Sequence, residues 1–232
     1  MKVLVLCDDR FHPGHIVENG IAKLKEKKEK KEKGFSFDVM QDMNDFETGG
    51  LKNYGAVLLS KSGNMSSSDE TNWKTKETMK AFVDYVEGGG GLLVTHSGVV
   101  PGKNSDTLDN LIGCRFISHP QQCPVTVQPI KKHPVTNGVG MFIETDEHYR
   151  IDIIAADTDI IMASYMPQQG SAEYFSDNPY TNTPAYISAS GYVRTQGRGR
   201  VCVLTPGHCL SVWHNAEYQK ALENALNWCG GR

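Results

Sequence analysis

No apolar run in the sequence approaches the ~20 residues needed to span a bilayer, so no membrane helix is expected. There is no C-x-x-C pair. The six cysteines, Cys7, Cys114, Cys123, Cys202, Cys209 and Cys229, lie scattered, which argues against a zinc ribbon and a dense disulfide framework and for reduced thiols. A broad basic surface is also missing. The net charge is -3, and a run over residues 23–33 holds seven of the Lys, leaving 17 basic against 24 acidic residues elsewhere. Such a surface repels a phosphate backbone, so nucleic-acid binding is not expected. The short apolar stretch at the N-terminus meets Asp8 and Asp9 where a small-residue cleavage site would lie, so a cytoplasmic protein is expected. Glycines 88–91 follow a helical pattern and precede a strand, the wrong order for a phosphate cradle, so they read as a cap and turn.

What is present suits one α/β core, and the whole chain, 1–232, is expected to form a single domain. Apart from Lys2 and Arg200 at their starts, residues 2–6, 92–94 and 200–204 are β-branched or apolar, the pattern of strands buried on both faces. Residues 35–40 and 56–59 supply two more strands. Val17, Ile21 and Leu24 predict a helix over about 15–32, whose charged second half is a solvated surface. Ser67 and Glu70 form a capping-box signature ahead of the helical series Met79, Phe82, Val83 and Val86. Between about 114 and 189 the pattern loosens into short strands and long loops (124–130, 141–144, 159–164, 184–188). A last helix carries Tyr218, Ala221, Leu222, Ala225 and Cys229 on one face. Strands alternating with helices at both ends predict a mainly parallel sheet covered on both faces.

In an open parallel sheet, ligands bind beyond the carboxyl ends of the strands. Three histidines fall there: His12 after the first strand, His96 after the strand that follows the glycines, and His208 after the last strand. A lone loop histidine is usually a surface or packing residue; a shared topological position points to a site.

The segments Arg10-Phe11-His12-Pro13, Gly90 through Thr95-His96-Ser97, His133-Pro134-Val135-Thr136-Asn137-Gly138, Asp146-Glu147-His148-Tyr149, and Gly199-Arg200-Val201 through Gly207-His208 to Trp213 occur in the order of the ThuA-like trehalose-utilisation family. The chain resembles that family, a member of the class I glutamine amidotransferase-like superfamily, from residue 1 to about 229. The resemblance implies a flavodoxin-like three-layer α/β sandwich with a mainly parallel sheet, and a role in carbohydrate metabolism. Working amidotransferases carry a Cys nucleophile at the strand-to-helix elbow, then a His with a Glu two residues on. Here the elbow reads Thr95-His96-Ser97, and Leu210 stands two residues after His208, so thiolate-dependent glutamine hydrolysis is not expected.

The remaining groups suit proton transfer on a sugar or keto-sugar: His96, His208 and His12 with Glu147 as partner carboxylate, and Ser97 as a lesser, triad-type candidate. Asp8, Asp9, Asp146, His119, Tyr149 and Trp213 are candidate substrate-binding residues, the aromatics by stacking and Asp8 and Asp9 also by orienting His12. The imidazoles and carboxylate could also hold a divalent cation such as zinc, although no H-x-x-x-H or H-E-x-x-H spacing signals it. His133 reads as structural. The expected partner is a small sugar or sugar derivative, with oligomeric state, a homo-oligomer included, left open. The rival class is a non-catalytic binding or regulatory module that keeps the fold after losing the nucleophile. A third, an active glutaminase, would need a thiol in the site.

Overall fold

The computed structural model describes residues 1–26, 34–166 and 187–231. The expected helix over 15–32 and the start of the expected strand at 184–188 reach outside those residues. Strands β1 (Lys2–Cys7), β2 (Ser36–Met40), β3 (Ala56–Ser60) and β4 (Gly91–Thr95) come first, with helix α1 (Gly14–Glu26) after β1 and α2 (Lys76–Glu87) before β4. Helix α3 (Asp106–Ile112) follows, then β5 (Cys114–Ser118), β6 (Cys123–Pro129), β7 (Phe142–Asp146), β8 (Arg150–Ile153), β9 (Asp159–Tyr165), β10 (Ile187–Gln196) and β11 (Gly199–Leu204). Helices α4 (Leu210–His214) and α5 (Ala216–Cys229) close the chain. No helix among the described residues is long and apolar enough to cross a membrane.

Among the described residues nine strands form one sheet in the order β2-β1-β3-β4-β11-β10-β9-β6-β7, and β5 pairs separately with β8. The pairings from β2 to β11 are parallel. Those from β11 to β7 are antiparallel. The expectation of a mainly parallel sheet therefore holds for one half only: the fold is α/β with a mixed sheet. The cause lies between β4 and β11, where four of the six intervening strands, β6, β7, β9 and β10, join this sheet antiparallel before the chain returns to the parallel edge.

Alternation along β1 shows why its sequence is apolar at every position. Val3, Val5 and Cys7 pack on one face with Val17, Ile21 and Leu24 of α1 and with α5. Leu4 and Leu6 pack on the other with Met79, Phe82 and Val86 of α2 and with α3. Fully burying each such side chain contributes about 1.5–3 kcal/mol, which selects this two-sided arrangement. The five residues predicted for one face of α5 are all buried. Its N-terminus is capped by Asn215, whose Oδ1 accepts the Glu217 and Tyr218 N–H groups.

Helix α2 begins later than the Ser67–Glu70 signature implies. Its capping box is made by Thr75 and Thr78 instead, and Ser67 uses its own N–H to bond Asp8 Oδ2 at 2.9 Å. The loop was drawn to the end of β1, which outweighed the local capping preference. Glycines 88–91 do close α2, with Gly88 N–H on Asp84 O at 2.9 Å.

Candidate functional site

The parallel strands end level with one another. Cys7 pairs with Ser60, and Leu204 with Thr95, so the loops after β1, β3, β4 and β11 share one rim. His12, His96 and His208 leave that rim, and Glu147 joins them from the end of β7. One donor atom from each of the four lies within 4.8 Å of every other.

Each ring is held from behind. His12 Nδ1 sits 2.8 Å from Asp9 Oδ1 and His96 Nδ1 sits 3.0 Å from the Thr205 carbonyl oxygen, which leaves both Nε2 atoms facing the centre. Asp9 is buried and accepts further N–H groups from Phe11, His12 and Ser62. Burial opposes its ionisation, but His12 and these amides prevail and hold its carboxyl down at about 2. His96 stands at the elbow after β4 with φ of 38°, a left-handed conformation that costs a non-glycine residue about 1–3 kcal/mol. Its ring lies 4.0 Å from that of Tyr149, and the Tyr149 hydroxyl is 3.3 Å from His12 Nε2.

Asp146 places His208. Its carboxylate oxygens accept the N–H groups of Gly207 at 2.8 Å, His208 at 2.9 Å and Cys209 at 3.2 Å. Gly207 has φ of 137°, a value that admits only glycine without strain. Burial pushes the Asp146 carboxyl up despite those bonds. The turn is tied again by Trp213 Nε1–H on Gly207 O at 2.8 Å and by Tyr218 O–H on Pro206 O at 2.7 Å.

Glu147 Oε2 lies 3.3 Å from His96 Nε2 and 3.1 Å from His208 Nδ1. Those distances suit charged pairing, although none of the three buried atoms meets a partner in full hydrogen-bond geometry among the described residues. Burial works against the Glu147 carboxylate, yet the two rings beside it hold its carboxyl below the usual range. Burial lowers His96, whereas Glu147 raises His208.

The other candidates fall around this centre. His119 Nε2 is 3.6 Å from Glu147 Oε2 at the half-open rim, and its ring stacks on Tyr149 at 5.5 Å. Asp8 receives Gly14 N–H at 2.9 Å on Oδ1 and so caps α1. Ser97 is fully buried, and its Oγ has no hydrogen-bond partner among the described residues; it is not joined to His208 as a triad requires. Trp213 is completely buried in the core, where its ring supports the turn and cannot stack on a ligand. His133 caps a turn, its Nδ1 accepting Val135 N–H at 3.2 Å. Lys61 carries no sequence signal beyond following a buried strand, yet it is fully buried and its Nζ binds the Asp8 and Gln41 carbonyls, pinning the loop that bears Asp9 and His12.

A protein-family model for ThuA, described as trehalose utilisation, matches residues 2–229. The chain belongs to the ThuA family. Solved ThuA-like structures repeat the fold: one from Bacteroides uniformis is 20% identical, with 99% of this chain and 91% of that chain covered at a TM-score of 0.69. One from Parabacteroides merdae is 16% identical, covering 99% and 90% at 0.72. A protein from Salmonella typhimurium described as cytoplasmic is 14% identical, covering 99% of both chains at 0.64. No curated protein matches this ThuA family chain in sequence.

Proposed function

We propose that this ThuA family member is an enzyme acting on a trehalose-related glycoside or keto-sugar, and that His12, His96, Glu147 and His208 form a centre for one divalent cation of the zinc class. The observation that carries this reading is the close approach of Glu147 Oε2 to His96 Nε2 and His208 Nδ1 without hydrogen-bond geometry. Three such atoms converging on one point offer lone pairs that a cation seated between them would take up. Ligands about 2.0–2.1 Å from a tetrahedral ion stand roughly 3.3 Å apart, close to the 3.1 and 3.3 Å found here. Asp9 behind His12 and the Thr205 carbonyl behind His96 are the outer partners that metal-ligating imidazoles use.

A bound cation would act as a Lewis acid on a sugar carbonyl or hydroxyl oxygen. The chain's own groups supply the rest. Asp9 and Thr205 fix the tautomers of His12 and His96 so that each presents a lone pair inward. Tyr149 closes the floor and keeps bulk water from His96. His119, half open at the rim and beside Glu147, relays a proton between the sugar and solvent. A neutral ligand suits a rim that offers imidazoles and a single carboxylate.

The strand order of the parallel half, 2-1-3-4-5 when its strands are counted along the chain, supports the flavodoxin-like and amidotransferase-like reading of the fold. On that reading the nucleophile elbow holds the His96 imidazole. Burial pushes the Cys7 thiol up to about 12 and the Cys209 thiol to about 11, which supports chemistry other than thiolate attack.

The test is calorimetric titration of chelator-treated protein with Zn²⁺ and Mn²⁺, followed by NMR in D₂O with trehalose and a keto-sugar derived from it. One cation per chain and exchange of carbon-bound hydrogen beside the carbonyl are expected. Asp9→Asn, which removes the carboxylate behind His12 and weakens the acceptor of the Phe11 and Ser62 N–H groups, should weaken cation binding about 10–100-fold. Equal behaviour of the parent, His96→Ala and Glu147→Gln in both measurements would refute the assignment.

A further inference from the structure

A cavity of about 490 Å³ opens beside His12, the one member of the four-residue centre in its lining. That volume lies within the ~300–1,000 Å³ typical of small-molecule sites. Its walls are three loops at the carboxyl rim: the β1 loop with Phe11, the β3 loop with Ser62, Asn64 and Asn72, and the segment ending at Lys103. The loops are tied to one another. Ser62 N–H bonds Asp9 Oδ2 at 2.9 Å, Asn72 Nδ2 bonds Lys103 O at 3.1 Å, and buried Lys74 bonds Val100 O at 2.7 Å. A side chain at Gly63 or Gly102 would bring its Cβ within 2.9 or 2.5 Å of Asn72 Oδ1. Two glycines thus allow the walls to approach without filling the space. The cavity is preformed, which limits the ordering cost of binding.

The lining also selects a ligand class. Amides and hydroxyls donate and accept in turn, as vicinal sugar hydroxyls do. Phe11, 69% exposed, stands at the mouth, with the Arg10 guanidinium over one side of its ring at 5.6 Å. The charged members are balanced: Glu70 pairs with Arg10 at the rim, and Lys103 is a single exposed cation. No Arg or Lys cluster of the kind that binds phosphate is present among the lining residues.

Resting on the function proposed above, we infer that this cavity is a subsite for a second, neutral pyranose ring, stacked on Phe11, while the first ring meets the His12, His96, Glu147 and His208 centre. The chain thereby prefers a two-ring glycoside over a one-ring one.

The experiment compares binding of trehalose and methyl α-glucoside by calorimetry to the parent, Phe11→Ala and Phe11→Trp, with a Zn²⁺ titration of each. The parent should bind trehalose about five- to tenfold more tightly than methyl α-glucoside. Phe11→Ala should erase that preference and Phe11→Trp should keep it, with Zn²⁺ binding unchanged in both. A parent without the preference, a preference that survives in Phe11→Ala, loss of Zn²⁺ binding in Phe11→Ala, or tighter binding of a sugar phosphate than of trehalose would each overturn the subsite. If the parent binds no cation but Phe11 still governs the preference, the subsite stands and the cation centre falls.

Discussion

The two halves of the central sheet divide the work of the site unequally. Four strands of the parallel half, β1, β3, β4 and β11, are buried on both faces, only the edge strand β2 being partly open, and the loops after β1, β4 and β11 carry all three converging imidazoles. The antiparallel half, from β10 to β7, turns part of its surface outward, with Ile143 at 57% exposure, yet it supplies Glu147 and the buried Asp146 that fixes the His208 turn. The parallel half provides positions at a common rim; the antiparallel half provides the charge that joins them. A rim of neutral rings without that carboxylate pair would have neither a shared acceptor nor a fixed third imidazole.

Asp146→Ala is the most severe way to break this division. It leaves the buried Gly207 N–H and the part-buried His208 and Cys209 N–H groups without this acceptor, and a loss of about 3–5 kcal/mol is expected in urea unfolding. If the His208 turn depends on the antiparallel half as described, Zn²⁺ binding should fall as well; stability within about 1 kcal/mol of the parent would contradict the clamp.

The buried charge over the parallel half can be examined through Lys74, 2% exposed, whose ammonium burial pushes down to about 8. Because the unfolded chain binds this proton more tightly, stability should rise as pH climbs from about 8 to 10.5, by about 3 kcal/mol in total, with the full burial penalty present below that window. Lys74→Met should remove that slope. The measurement is the urea midpoint of parent and variant at several pH values, and parallel curves for the two would sink the argument.

The smallest effect belongs at the outward face of the antiparallel edge. Ile143→Ala on β7 should change stability by no more than about 0.5 kcal/mol, because its side chain is already largely in water. A thermal shift as large as that of a core truncation would show that this face is covered in solution.

Much of the parallel half was legible in the residues. A strand buried on both faces must be apolar at nearly every position, so residues 2–6, 56–59, 92–94 and 200–204 announce β1, β3, β4 and β11. The histidines after three of them were visible for the same reason. Glu147 was reached through the ordered motifs, not through spacing. The antiparallel half was harder to read: β10 extends to Gln196, well past the segment its alternation suggested, since Gly191, Arg194 and Thr195 interrupt any apolar pattern. Arg194 is buried there because it bonds the Asn110 and Leu111 carbonyls and Asp157, partners that are remote in the chain. Trp213 shows the opposite error: an aromatic beside a motif suggested stacking on a ligand, whereas its indole N–H was needed inside to hold a turn.

By itself, then, the order of residues determined the buried strands, the helices that cover them and the imidazoles at strand ends, because burial on two faces and helical spacing are written in local pattern. Only the tertiary structure decided that β7 would reach back to the parallel rim, that Asp146 would bind the turn after β11, and that Glu147 would stand between His96 and His208. Those outcomes depend on contacts between segments some 50 residues or more apart, such as Asp146 Oδ2 accepting Gly207 N–H, and no local periodicity encodes which distant backbone a buried carboxylate will meet.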